Sequence, residues 1–156
     1  MLETLSDTIA ASTASVYIAD HLWVTPMVQS LHIMAIAALS GSVLMVGARL
    51  ARLAGTDMPI QAIEARYAGV VWWSALVLLV TGVVLVIGEP ARELLNVLFR
   101  LKMLLVLALL ALMAVFQWGA RQGADLWSHG YGRALGIGMA AVWLAIVSAG
   151  RWIAYI

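Results

Sequence analysis

His32 has the setting that most invites chemistry in this chain. It lies in TPMVQSLHIMAIAALSGSVLMVG, residues 25 to 47, a membrane-length stretch in which no acidic or basic side chain accompanies it. An ionisable group in hydrocarbon is costly, so by default it faces a bundle interior and has a partner or a ligand. The plainer alternative is a neutral imidazole bonded to a carbonyl of a neighbouring helix. As a ligand, imidazole offers one nitrogen to a metal while an outer acceptor holds the other, and Gln29 or a backbone carbonyl is available for that second task.

Three cations share the same side of the chain. With a rise of about 1.5 Å per residue, His32 sits roughly 10–12 Å below the start of its helix, and Arg100 and Lys102 sit roughly 5–8 Å below the start of theirs. Arg151 is about as shallow, approached from the opposite chain direction. A deep imidazole beneath shallower cations suits haem b, whose iron takes an axial nitrogen and whose propionates favour Arg or Lys near the membrane surface. Arg100 and Lys102 are two residues apart and point to roughly opposite faces, so at most one aims at the bundle axis. The other can snorkel to the headgroups.

A second axial ligand is open between Met103, Lys102, the His32 of a second protomer, and none. His21 lies roughly 16 Å away along the helix, and His129 belongs to the loop of the opposite face. Copper is the rival cofactor: Met27, Met34, Met45 and Met103 could join His32 in a soft site suited to Cu(I). Met27 and Met34 share a helix face from which His32 is offset. No nucleophile and base, phosphate loop or paired carboxylates stand out.

These residues need helices to position them, and composition says where those helices lie. The chain has 156 residues, 64% of them hydrophobic and 11% charged, with a mean hydropathy of +1.00. Soluble domains hold roughly 45–50% apolar residues, so this chain belongs in a bilayer. Its net charge of +1 offers no extended basic surface to nucleic acid. The absence of cysteine excludes disulfides, thiolate metal sites and covalent haem attachment. The amino terminus has no positively charged region and no apolar core of a signal peptide.

The charged residues divide the chain into spans. Uncharged stretches of about 28, 22, 18 and 17 residues run from Asp20 to Arg49, Arg66 to Glu89, Lys102 to Arg121 and Arg133 to Arg151, each near the length of a tilted crossing helix. They predict an all-α, four-helix membrane bundle forming one domain, 1–156, with helices near 24–50, 66–88, 97–119 and 133–154. Thr25 is the expected N-cap of the first, with Pro26 in its first turn. PARELLNVLF after Gly88 reads as a short interfacial segment, and residues 2–20 as a short N-terminal interfacial helix.

Small residues at Ala37, Ala38, Ser40, Gly41 and Ser42, and at Gly136, Gly138, Ala141, Ala145 and Ser148, allow close helix packing and homo-oligomerisation. Ser74 and Thr81 can bond to their own helix backbone and need mean nothing more. Basic residues are nearly balanced between the two faces. A modest excess at the loops carrying Arg49 to Arg66 and Arg121 to Arg133 places both termini outside the cytoplasm. A bacterial inner membrane location, multi-pass and with periplasmic termini, is the expectation.

SLHIMAIAALSGSVLMVGARL at 30–50, WWSALVLLVTGVVL at 72–85 and NVLFRLKMLLVLALLALMAVF at 96–116 resemble the helices of an uncharacterised family of small bacterial four-helix membrane proteins. That group is similar in turn to the HemJ-type protoporphyrinogen oxidases and the CopD copper-resistance proteins. The likeness rests on the L-H of the first helix, the T-G late in the second and the F-R-L-K opening the third. It implies haem binding by His32 and a functional role for Lys102. HemJ-type sequences usually carry a further histidine where this chain has Gln117, and the extra helices and external ligands of a copper importer are missing.

The expectation is therefore one haem b per protomer, bound through His32, with Lys102, Arg100 and Arg151 as propionate partners. Electron transfer or haem-linked redox chemistry follows, as a haem-dependent oxidoreductase if the protein is an enzyme, with a membrane or periplasmic redox partner. A copper-binding or copper-transport protein and a cofactor-free membrane scaffold are the alternatives.

Overall fold

The computed structural model describes residues 2–122, 127 and 130–153. Two short helices, α1 (Leu2–Ala10) and α2 (Thr13–Asp20), precede α3 (Val24–Leu50) and α4 (Ile60–Gly88). The short α5 (Pro90–Leu94) leads to α6 (Val97–Arg121) and α7 (Gly130–Ile153). No strand occurs among the described residues. α3, α4, α6 and α7 are long and apolar enough to cross a membrane, where a helix satisfies every backbone polar group within its own segment. The protein is an all-α membrane bundle.

Several boundaries differ from those the sequence predicts, each for a local reason. α4 starts at Ile60 rather than near 66, behind Pro59 in extended conformation. Gln61, Glu64 and Arg66 mark where hydrocarbon ends, but polar side chains do not end a helix. Thr25 is not the N-cap of α3. The Val24 N–H already donates to the His21 carbonyl and Trp23 is helical, so the chain turns from α2 into α3 without a side-chain cap. Asn96 cuts PARELLNVLF in two: its side chain accepts the Leu98 N–H at 2.9 Å and caps α6. Residues 2–20 form two helices because the Ser12 hydroxyl accepts the Ser15 N–H and starts α2 afresh.

α3 packs along α4 and α7, and α6 along α7, whereas α4 and α6 meet over a shorter seam. The tightest crossing joins α3 and α7. A Cβ built on Gly136 would lie 2.6 Å from the Gly47 carbonyl oxygen and 2.8 Å from Leu50 Cβ, so backbone meets backbone there. Gly41 and Gly138, equally small, have nothing within 4 Å of a built Cβ and make no such contact. Ser40 and Ser42 return their hydroxyls to Ile36 and Ala38 of their own helix.

Burial is uneven along the bundle. One end, here the capped end, carries α1, α2 and α5: α1 packs on α5, and α2 on the close of α4. At the opposite, distal end lies the core, with Val43 and Val46 of α3, Val71 of α4, Phe116 of α6 and Met139 of α7 all buried. Toward the capped end the packing thins. No residue of α3 before Ala35 and none of α6 before Leu109 is buried, and in the described part of α7 none is buried past Ile146.

The distal end is also fastened by polar contacts. Arg49 donates Nε and Nη2 to the Met58 carbonyl at 3.0 and 2.7 Å, pinning the α3–α4 loop. Gly55 in that loop has φ +64°, which a side chain rarely adopts. Arg121 Nε meets Glu64 Oε1 at 2.9 Å.

Candidate cofactor-binding site

His32 belongs to the loosened, capped half of the bundle and is half-buried. Its Nδ1 lies 2.7 Å from Thr81 Oγ1 on α4. The Thr81 hydroxyl is itself bonded backward, to the Val77 carbonyl at 2.6 Å and more weakly to that of Leu78 at 3.4 Å. Thr81 has one hydroxyl proton, and when the Val77 carbonyl takes it the oxygen is left to accept. In that arrangement a neutral His32 carries its proton on Nδ1, which donates to Thr81, and Nε2 keeps a lone pair. No hydrogen-bond partner of Nε2 occurs among the described residues. Thr81 is only 4% exposed and is the one buried residue of α4 beyond Ser74.

Neither Gln29 nor a carbonyl holds the ring. Gln29 is exposed, and the contact to Nδ1 comes from the next helix, from Thr81 of α4. Sequence reading passed over Thr81 because a membrane threonine satisfies itself on its own helix. It does so here too, and that bond is what turns its oxygen into an acceptor. The available signal was the T-G pair late in the second helix: Gly82 adjoins the imidazole, with a built Cβ 3.8 Å from His32 Cε1.

Lys102 is the second polar group of this half. It is half-buried, whereas Arg100 is exposed, in keeping with residues two apart facing different ways. Its Nζ lies 5.7 Å from the Phe99 ring centroid, and its stem passes α7, with Cδ 3.9 Å from a Cβ built on Gly150. Lys102 is within electrostatic reach of both His32 and Glu93, but no carboxylate forms an ion pair with it among the described residues. Arg151 is exposed near the end of α7. On α5, Arg92 donates to Glu89 at 2.6 Å, and that carboxylate raises the guanidinium pKa above its ordinary value.

The methionines do not gather around the imidazole in the same way. Met27 and Met34 are 66% and 69% exposed, and Met45 and Met103 are also exposed, so these side chains lie on the outer surface of the bundle. His21 Nδ1 bonds to the Tyr17 carbonyl at 2.8 Å and its ring stacks on Tyr17. His129 lies outside the described residues. Among the described residues no group of three or more His, Asp or Glu could hold a metal ion. A bare ion needs several protein ligands, but iron already held by four macrocycle nitrogens needs one or two. A single oriented imidazole therefore fits haem better than a free cation.

Gln117, where the resemblance marks a departure, is at the distal end and 6% exposed. Its Oε1 accepts the Trp72 Nε1–H at 2.7 Å across the α4–α6 seam, and its Nε2 has no partner among the described residues. It ties two helices together and is remote along the bundle from His32.

A family described as being of unknown function (DUF6644) matches residues 9–156, and the chain belongs to it. Searches among curated proteins and among solved structures find no match. The comparisons thus place the chain in a family of unknown function and add nothing on a likeness to HemJ-type or CopD proteins.

Proposed function

We propose that this member of the family binds haem b through His32 Nε2 and takes part in electron transfer or haem-linked redox chemistry in a bacterial inner membrane. The observation that carries the reading is the oriented imidazole: Nδ1 is held by Thr81 and Nε2 is free, in the half of the bundle where packing is loosest. A half-buried Lys102 without an ion-pair partner among the described residues supports it, since a cation in hydrocarbon calls for an anion and a propionate supplies one. The resemblance of the first and third helices to HemJ-type proteins points to the same two residues.

His32 would hold the iron, Lys102 would meet a propionate, and Arg100 and Arg151 would stand nearer the headgroups. Bound haem would supply a one-electron couple, with a membrane or periplasmic protein as redox partner. The chain's own contribution would be to hold His32 Nδ1 through Thr81 and to anchor the macrocycle's charged edge through Lys102. The outward placement of Met27 and Met34 gives the copper reading no comparable support.

The visible spectrum of protein purified after expression with haem supply tests this. A Soret band that shifts on reduction, at a stoichiometry near one per chain, is expected. Colourless protein with copper in proportion to chain would replace haem by copper, and protein carrying neither would leave a scaffold.

A further inference from the structure

The Thr81 hydroxyl has two relations that together decide what His32 can present. Its proton is committed to the Val77 carbonyl at 2.6 Å, one turn back on α4, and its oxygen faces His32 Nδ1 at 2.7 Å. The carbonyl can only accept, so a hydroxyl that keeps this bond has no second proton for Nδ1 and must accept from it. The chain of donation runs from imidazole to hydroxyl to backbone in one direction.

We propose that Thr81 is the positioning residue of the site, locking His32 as the Nδ1–H tautomer so that Nε2 offers a lone pair and no proton. This deepens the haem reading and rests on it for the identity of the ligand, but the tautomer is a property of the chain alone. It has a consequence for ligand class. A bare lone pair beside the Lys102 cation welcomes an electron-pair acceptor that carries a negative charge, as iron in a propionate-bearing macrocycle does. It repels a ligand that brings only acceptor oxygens to the ring, such as a quinone carbonyl, which would need Nε2–H. Thr81 thus selects between two kinds of membrane redox molecule.

Thr81→Val removes the acceptor while keeping the shape of the side chain, and Thr81→Ser restores the hydroxyl. In the valine variant Nδ1–H loses its partner and the ring is free to take the Nε2–H form and to rotate. An outer-sphere partner of a metal-bound histidine typically matters by 10–100-fold in metal affinity, so haem affinity should fall by about that factor in Thr81→Val and change less than about threefold in Thr81→Ser.

The experiment has two arms on the full chain in detergent. In the first, nitrogen-15 NMR of histidine-labelled, haem-free protein reads the ring nitrogens of His32, assigned by their disappearance in His32→Gln. Protonated Nδ1 with bare Nε2 is expected in the unaltered protein and in Thr81→Ser, and a mixture containing Nε2–H in Thr81→Val. In the second, haemin titration gives the affinities of the same proteins, with helix content by circular dichroism showing that each has folded. An Nε2–H tautomer in the unaltered protein, or a ratio untouched by Thr81→Val, overturns the proposal. The expected tautomers without any haemin binding would leave Thr81 in its role and remove the haem reading instead. A folding failure of Thr81→Val passes the test to Thr81→Ala, for which the same tautomer mixture is expected.

Discussion

At the residue scale, the site turns on hydrogen-bond direction and on which of two neighbouring cations turns inward. Lys102 is half-buried and Arg100 exposed, and a charge-assisted bond to a propionate contributes about 1.5–3 kcal/mol. Lys102→Ala should therefore weaken haemin binding by about ten- to a hundredfold, and Arg100→Ala by less than about threefold, in parallel titrations. Equal losses for the two would show that both only serve the headgroups. His32 and Lys102 were legible as sequence, because ionisable residues inside apolar spans are few and costly. Thr81 was not, since an uncharged hydroxyl in a membrane helix carries no cost that would mark it. Only the side-by-side placement of α3 and α4 gives its oxygen a partner forty-nine positions away.

At the scale of elements, the crossing of α3 and α7 and the fastening of α4 to α6 carry distinct expectations. A methyl group on Gly136 would meet the Gly47 carbonyl and Leu50 Cβ, backbone and a fixed side-chain root that cannot swing away. Gly136→Ala should lower the thermal midpoint in detergent, by an amount corresponding to about 1–3 kcal/mol, while Gly138→Ala, into open space, should not. The Glu64–Arg121 pair is asymmetric, with side chains 11% and 68% exposed respectively. Arg121→Ala strands a buried carboxylate and should cost about 1–3 kcal/mol, whereas Glu64→Gln leaves an exposed guanidinium and should cost under about 1 kcal/mol. Equal effects in unfolding assays would contradict that reading. The helices themselves were visible as apolar runs. Their ends were less so, since α4 continues through Arg66 and Glu64 to Ile60, and Glu64 pairs with Arg121, two charges that, read singly, looked like membrane flanks. Which glycine makes the close contact was equally hidden, because Gly41 and Gly136 look alike until the crossing point is known.

At the scale of the whole molecule, four helices of crossing length bring α1 and the close of α7 to one face, the capped end that α1, α2 and α5 cover. The modest arginine excess at the distal loops leads us to propose that this face lies outside the cytoplasm. A phosphatase fused at the carboxyl end should be active and a cytoplasm-dependent fluorescent reporter dark, with the opposite pair of results reversing the orientation and moving the site to the cytoplasmic half. The bundle is firm at its distal end and loose where His32 and Lys102 lie, a distribution that appears only once the helices are packed together. The account as a whole stands on one claim, that Nε2 of His32 holds the iron. Its most direct measurement is haem bound per folded chain in His32→Ala against the unaltered protein, with His21→Ala as control because that ring is engaged with Tyr17 on α2. The account predicts a loss of more than tenfold in His32→Ala and none in His21→Ala; haem retained at full stoichiometry, with an unshifted reduced band, in His32→Ala would contradict it.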